Sequence, residues 1–199
     1  HGSGKRRDDP HATMVASFKT FRSLVHRYGL DRSEEGIGRA AEHLFTYQSA
    51  EGDIRGMIGG QYATYYTGEI VSLLIRAGYS EDERTERALA WLLSIRQNDG
   101  GWTIPILTLD LPWKEIVRLT SFLSEPLPPD RSRPSSHNWT DMVLRAFAAH
   151  PSYRYGVEAK RAADLLKGSL FRPDAYRSYG EVRSWTRFVG WWPNLLTAL

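Results

Sequence analysis

Cysteine is absent from the 199 residues, which excludes disulfides and thiolate zinc sites and leaves the redox compartment open. No apolar run approaches the roughly 20 residues of a membrane span, and no secretory leader is evident. A cytoplasmic protein, or one attached peripherally to a membrane, is the expectation. Charge of one sign is also lacking: 26 Lys and Arg stand against 23 Asp and Glu, a net charge of +3. Both signs are mixed along the chain, so the field is too unfocused to favour a nucleic-acid partner. The short basic clusters KRR at 5–7 and RSR at 131–133 read as solvated tail and loop. Alternating apolar and polar residues never persist, which leaves almost no strand signal. His11, His26, His43, His137 and His150 are isolated, with no HExxH or paired helical spacing, so no metal site and no cofactor are expected. A nucleophile elbow is missing too, and GSGK near the start lacks the upstream glycine and strand of a P-loop.

What is present is repetition. GLDRSEEGIGRAAEHLFTYQSAEGD at 29–53 lies beside GYSEDERTERALAWLLSIRQNDGGW at 78–102 with matching residues at a fixed offset. Gly29 pairs with Gly78, Asp31 with Ser80, Glu34 with Glu83, Leu44 with Leu93, Gln48 with Gln97 and Gly52 with Gly101. The glycine ends one helix, Asp31 or Ser80 is placed to cap the next, and the glutamate three positions on completes a capping box. Each segment then runs at helical spacing into a glycine-rich turn.

A second kind of helix begins HATMVASF at His11, YATYYTGE at Tyr62 and NWTDMVLR at Asn138, which aligns Thr13, Thr64 and Thr140. A fourth start is WPNLLTAL at 192–199, where Pro193 suits a first helical turn. The capped helices carry a charged face and belong outside. YATYYTGEIVSLLIRAG is apolar almost all round and belongs inside. A third capped helix is expected from about Ser152 to Leu170. The period of about 50 residues places the chain among helical repeat architectures.

The fold expected is all-α, a partial or open α/α toroid of about four helical hairpins in an inner and an outer layer. Residues 1–8 read as a tail or cloning remnant, and 9–199 as one repeat domain. Its proline-rich insertion at about 103–136 is marked by Pro105, Pro112, Pro126, Pro128, Pro129 and Pro134, and a short helix from Trp113 to Leu123 is expected within it. The opening without an initiator Met suggests a piece of something longer.

RQNDGGW at 96–102 resembles the QW repeat of the squalene-hopene cyclase family, with Gln97, Gly100, Gly101 and Trp102 in the motif. Gln48 and Gly52 resemble a degenerate copy in which Ile54 replaces the aromatic residue. The ending WTRFVGWWPNLLTAL resembles the last repeat of cyclase-like proteins. The resemblance implies a double-layered α/α toroid whose glutamine and tryptophan tie adjacent repeats together. It also implies an aromatic-walled cavity for an isoprenoid, lipid or other apolar ligand, and, for an enzyme, isomerase or lyase chemistry of the terpenoid cyclase type. The Asp-x-Asp-Asp acid motif of the cyclases is absent, as is the cysteine that the related prenyltransferases use on zinc.

Residues near inner-helix N-termini are the natural lining of such a cavity: Asp9, His11, Tyr62, Tyr65, Tyr66, Trp139, with Trp191 and Trp192. The same aromatics would also fill a core. Asp141 is the candidate proton donor, with His137 as its hydrogen-bonding partner. An acid stabilised by its helix N-terminus is the alternative for Asp141. Two other functions fit the same sequence: a noncatalytic repeat module for association with another protein, a second copy or further repeats, and a carbohydrate-active toroid with paired carboxylates.

Overall fold

The computed structural model describes residues 10–121, 123–176 and Trp185, and for Pro10 and His11 the backbone alone. Seven α-helices are present among them: α1 (Pro10–Tyr28), α2 (Glu35–Phe45), α3 (Thr64–Leu74), α4 (Glu83–Ser94), α5 (Trp113–Leu119), α6 (His137–Ala149) and α7 (Val157–Gly168). A π-helical turn, Ile75–Tyr79, extends α3, and a 3-10 turn, Pro105–Thr108, opens the insertion. No strand occurs among the described residues, only isolated bridges such as Gln48 with Ile54. The fold is all-α.

Burial follows from the residue pattern of each helix. Along α3 every residue from Thr67 to Leu74 is buried, and α6 buries eight of its residues. Each outer helix instead buries one stripe: Ile37, Ala41, Leu44 and Phe45 on α2, Thr85, Ala88, Leu89 and Leu92 on α4, and Ala159, Ala162 and Leu166 on α7. These spacings place one face of a 3.6-residue helix against a core. α1 buries only the stripe Met14, Phe18, Phe21 and Val25, but its contacts are those of the inner row: α1, α3 and α6 pack on one another in chain order, and α2, α4 and α7 pack on their hairpin partners. The result is an inner row and an outer row, three hairpins among the described residues. The fourth expected start, at 192–199, lies outside them.

The closest inner contact is between α3 and α6. A Cβ on Gly68 would sit 2.7 Å from the Cα of Val143, so only glycine lets the two backbones meet. That approach sets Glu69 of α3 beside Asp141 of α6, two acids in a tightly packed layer.

Several local expectations are corrected. α2 begins at Glu35 with no side-chain cap, and Asp31 instead accepts the N–H of Ser33 at 2.8 Å in a turn. α4 is capped by Asp82, not Ser80: its Oδ1 accepts the N–H of Arg84 at 2.9 Å. The acid nearer the apolar stripe takes the cap because its side chain reaches the free amides of the first turn. α5 stops at Leu119, four residues before the expected end, and α7 runs from Val157 to Gly168, within the wider span expected. No described helix is long and apolar enough to cross a membrane.

The threonine register also shifts. Thr13, Thr67 and Thr140 occupy the fourth position of α1, α3 and α6, whereas Thr64 opens its helix. Thr67 and Thr140 make the same contact. The Ile54 N–H donates to Thr67 Oγ1 at 3.1 Å, and the Trp102 N–H donates to Thr140 Oγ1 at 2.9 Å. Each hydroxyl lies within reach of the carbonyl of the same residue, at 3.5 and 3.3 Å. Thr64 donates instead to the carbonyl of Thr103 at 2.7 Å.

Candidate functional site

The repeat residues tie hairpins together. Gln48 Nε2 donates to the carbonyls of Gly52 at 3.0 Å and Arg84 at 2.8 Å, reaching the start of the next outer helix. Gln97 Nε2 donates to Asp130 and Arg133 carbonyls at 2.8 and 2.9 Å. The turns that follow carry positive φ at Gly52 (116°) and Gly100 (104°), a backbone that an L side chain resists. Gly52 abuts the backbone of Arg87 and Gly100 the side chain of Arg161, while Gly101 lies against Ser135 and Thr140. Trp102 is fully buried, donates from Nε1 to the Leu92 carbonyl at 2.6 Å, and stacks on Phe147 at 5.5 Å. A third glutamine does the same work unannounced by any repeat. Gln61 Nε2 donates to Leu119 and Glu125 carbonyls at 2.8 and 2.9 Å, and its Oε1 accepts the Leu127 N–H at 3.1 Å. Gln61 and Gln97 therefore fasten the insertion from both sides.

The inner row carries a band of rings. Phe18 meets Tyr66 at 6.0 Å, Tyr66 meets Tyr65 at 4.3 Å, Tyr65 meets Trp139 at 6.1 Å, and Trp139 meets Tyr176 at 5.3 Å. Tyr65 and Tyr66 are half-buried and Trp139 is buried. Of the expected lining residues, these three are brought together. Tyr62 is not with them. It precedes α3, its ring tilts against Trp91 of outer α4 at 5.4 Å, and its hydroxyl donates to Glu51 at 2.6 Å. Burial, and then the hydrogen bond to Glu51, push its phenol up to about 12. It borders a separate open cavity of about 470 Å³ with Trp91, Ile95, Pro128, Pro129 and Arg131. Asp9, the His11 side chain, Trp191 and Trp192 lie outside the described residues.

Asp141 stands two residues from Trp139 and is 2% exposed. Its carboxylate is held by Arg145, one turn on, through both oxygens at 3.0 and 3.2 Å. Burial pushes its pKa up to about 7 against the opposing pull of Arg145, with the nearby Glu69 adding to the rise. The expected partnership with His137 is replaced by this one. The backbone N–H of His137 donates to Asp174 at 2.8 Å, and its ring lies against Trp185 at 5.4 Å. Burial lowers the His137 pKa, with Asp174 acting in the opposite sense. Asp174 also accepts from Ser136 Oγ at 2.8 Å, so it serves the N-terminus of α6 together with the Ser136 cap.

Arg22, Arg76 and His26 extend the charged group of Asp141, Arg145 and Glu69. Glu69, on α3, is buried and accepts Arg22 Nε of α1 at 3.2 Å. Burial raises the Glu69 pKa, while Arg22, Arg145 and Arg76 act to lower it. His26, one turn beyond Arg22, has its pKa lowered by partial burial and then by Arg76, Arg22 and Arg145. The signals for these residues were an acid alone in the apolar run YATYYTGEIVSLL and an arginine four places after Asp141. Among the described residues no group of three His, Asp or Glu is arranged to hold a metal.

No protein-family model matches this sequence, and no curated protein matches it.

Proposed function

We propose that the inner face binds an isoprenoid or similarly apolar chain along the ring band, and that Asp141 donates a proton to it, as in isomerases or lyases of the terpenoid cyclase type. The observation that carries this reading is Asp141 itself: a carboxyl 2% exposed on an inner helix, whose pKa burial raises to about 7. Protonating a carbon–carbon double bond needs an acid that still holds its proton near neutrality and meets its substrate away from water. The positive charge created on carbon would then pass over Trp139, Tyr65 and Tyr66, whose faces stabilise a cation by roughly 0.5 to 2 kcal/mol each. Arg145 orients the carboxyl through both oxygens.

A second reading has its own support. On the insertion Trp113, Val117 and Leu123 are 72%, 52% and 96% exposed, which favours an apolar contact with another protein or a second copy.

Extraction of the purified full chain with organic solvent, followed by mass spectrometry, separates the two. A co-purified isoprenoid or fatty chain is expected under the first reading. A clean extract with a concentration-dependent dimer would replace it with the second. Once a ligand is in hand, Asp141→Asn should remove turnover and leave binding in place; retained turnover would strike Asp141 from the role.

A further inference from the structure

The open cavity of about 470 Å³ beside Tyr62 lies apart from the ring band. Its walls come from three places: Glu51 and Tyr62 follow α2, Trp91 belongs to outer α4, and Pro128, Pro129 and Arg131 belong to the insertion. A space of that size takes a small molecule. Trp91 is 6% exposed, and its Nε1 donates to no group among the described residues while keeping contact with solvent. An indole N–H so nearly buried ordinarily has an acceptor, and the cavity is where one can enter. The two charges that line the space differ in sign. Glu51 accepts the Tyr62 hydroxyl through Oε2 at 2.6 Å, with Arg55 3.8 Å from the same atom, and its Oε1 has no partner among the described residues. Arg131 is anchored through Nε to the Arg96 carbonyl at 2.7 Å, past the end of α4. Glu51 thus stands on the Tyr62 side of the ring pair and Arg131 beyond the Trp91 helix, with ring and proline surface between them.

We infer that this cavity binds a short apolar peptide as a zwitterion, with its free ammonium on Glu51, its terminal carboxylate on Arg131 and a main-chain carbonyl accepting from Trp91 Nε1. Both end contacts are charge-assisted hydrogen bonds, and a guanidinium matches the fork of a carboxylate. Tyr62, Pro128 and Pro129 give the side chains apolar surface to cover. The walls select this class against simpler ones. An anion alone would meet Glu51, a cation alone would meet Arg131, and a purely apolar molecule would leave both charges and the indole N–H unpaired. A single amino acid carries its two charges on one carbon and cannot serve both sides of the ring pair. The inference holds whether the inner ring band carries a ligand or only packs the core.

Calorimetric titration of the full chain with leucyl-leucine and leucyl-leucyl-leucine at matched ionic strength tests it. Saturable binding is expected, weakened about tenfold when the peptide is N-acetylated and about tenfold when it is C-amidated. In Glu51→Gln the free and acetylated peptides should bind alike, and in Arg131→Ala the free and amidated ones, because each variant lacks the group that reads that end. The Trp91 indole N–H resonance, assigned by its loss in Trp91→Phe, should move on titration, and free leucine should bind far more weakly than either peptide. The blocking groups alter the ligand and not the chain, so the result is decided even where a variant fails to fold. No saturable binding of either peptide, indifference to both blocking groups, or leucine bound as tightly as the peptides overturns the site.

Discussion

Asp141 and Arg145 form an ion pair within one turn of α6 in which the carboxylate is 2% exposed and the guanidinium side chain 20%. Because burial outweighs the arginine, the acid has a folded-state pKa of about 7 against an ordinary 3.8. Between those values the folded chain holds a proton that the unfolded chain has released, so stability falls as pH rises from about 4 to about 7. Asp141→Asn removes that titration. In urea melts across this range the variant should show a flatter slope than the parent, by an amount on the order of a few kcal/mol over the whole window. Equal slopes would mean that Asp141 ionises normally.

Trp102 supplies both a buried donor and a stacked ring. Trp102→Phe keeps most of the ring area but leaves the Leu92 carbonyl without its donor, a loss of about 1 to 3 kcal/mol. Trp102→Ala also opens a cavity beside Phe147 and should cost about 3 to 5 kcal/mol. Denaturant unfolding reads both. A smaller loss for Ala than for Phe would contradict the packing described.

Gln61 is predicted to govern the insertion more than the helices. Gln61→Ala removes the donors to Leu119 and Glu125, so amide exchange and protease cleavage should rise between about residues 109 and 128 while α3 and α6 stay protected. Uniform loosening of the whole chain would assign Gln61 a role in the core instead.

Gly68→Ala tests the meeting of α3 and α6. An added methyl group must push against the Val143 backbone, and a destabilisation of about 1 to 3 kcal/mol is expected despite the better helix propensity of alanine. Thermal denaturation measures it, and a rise in melting temperature would show that the helices have room to part.

The hairpin order was legible in the sequence because it depends on periodicity, and periodicity survives in a single chain. The apolar run after Tyr62 could only be enclosed, and the charged face of SEDERTERALAWLLS could only be outside. The capping residues are less legible, since Asp31, Ser80 and Asp82 are all of a type that caps, and only Asp82 does so. Thr64 was matched to Thr140 on local similarity, YAT against NWT, although Thr67 makes the equivalent bond. Asp141 is recognisable as unusual, but His137 and Arg145 lie one turn to either side of it, and only the folded chain selects Arg145. Arg22 and Glu69 are 47 residues apart in sequence, and only the packing of α1 on α3 brings them together.

Beside the packed helices, the turns between hairpins are held by side chains grasping main-chain atoms: glutamine amides on carbonyls, threonine hydroxyls on amide hydrogens. Main-chain atoms are common to nearly all residues, proline lacking only the N–H. A neighbouring segment can therefore exchange almost every side chain without unfastening the joint, provided that the grasping residue and the turn glycine persist. Such an array tolerates wide drift in composition while its architecture stays put, leaving a handful of short signatures as the visible trace of common construction.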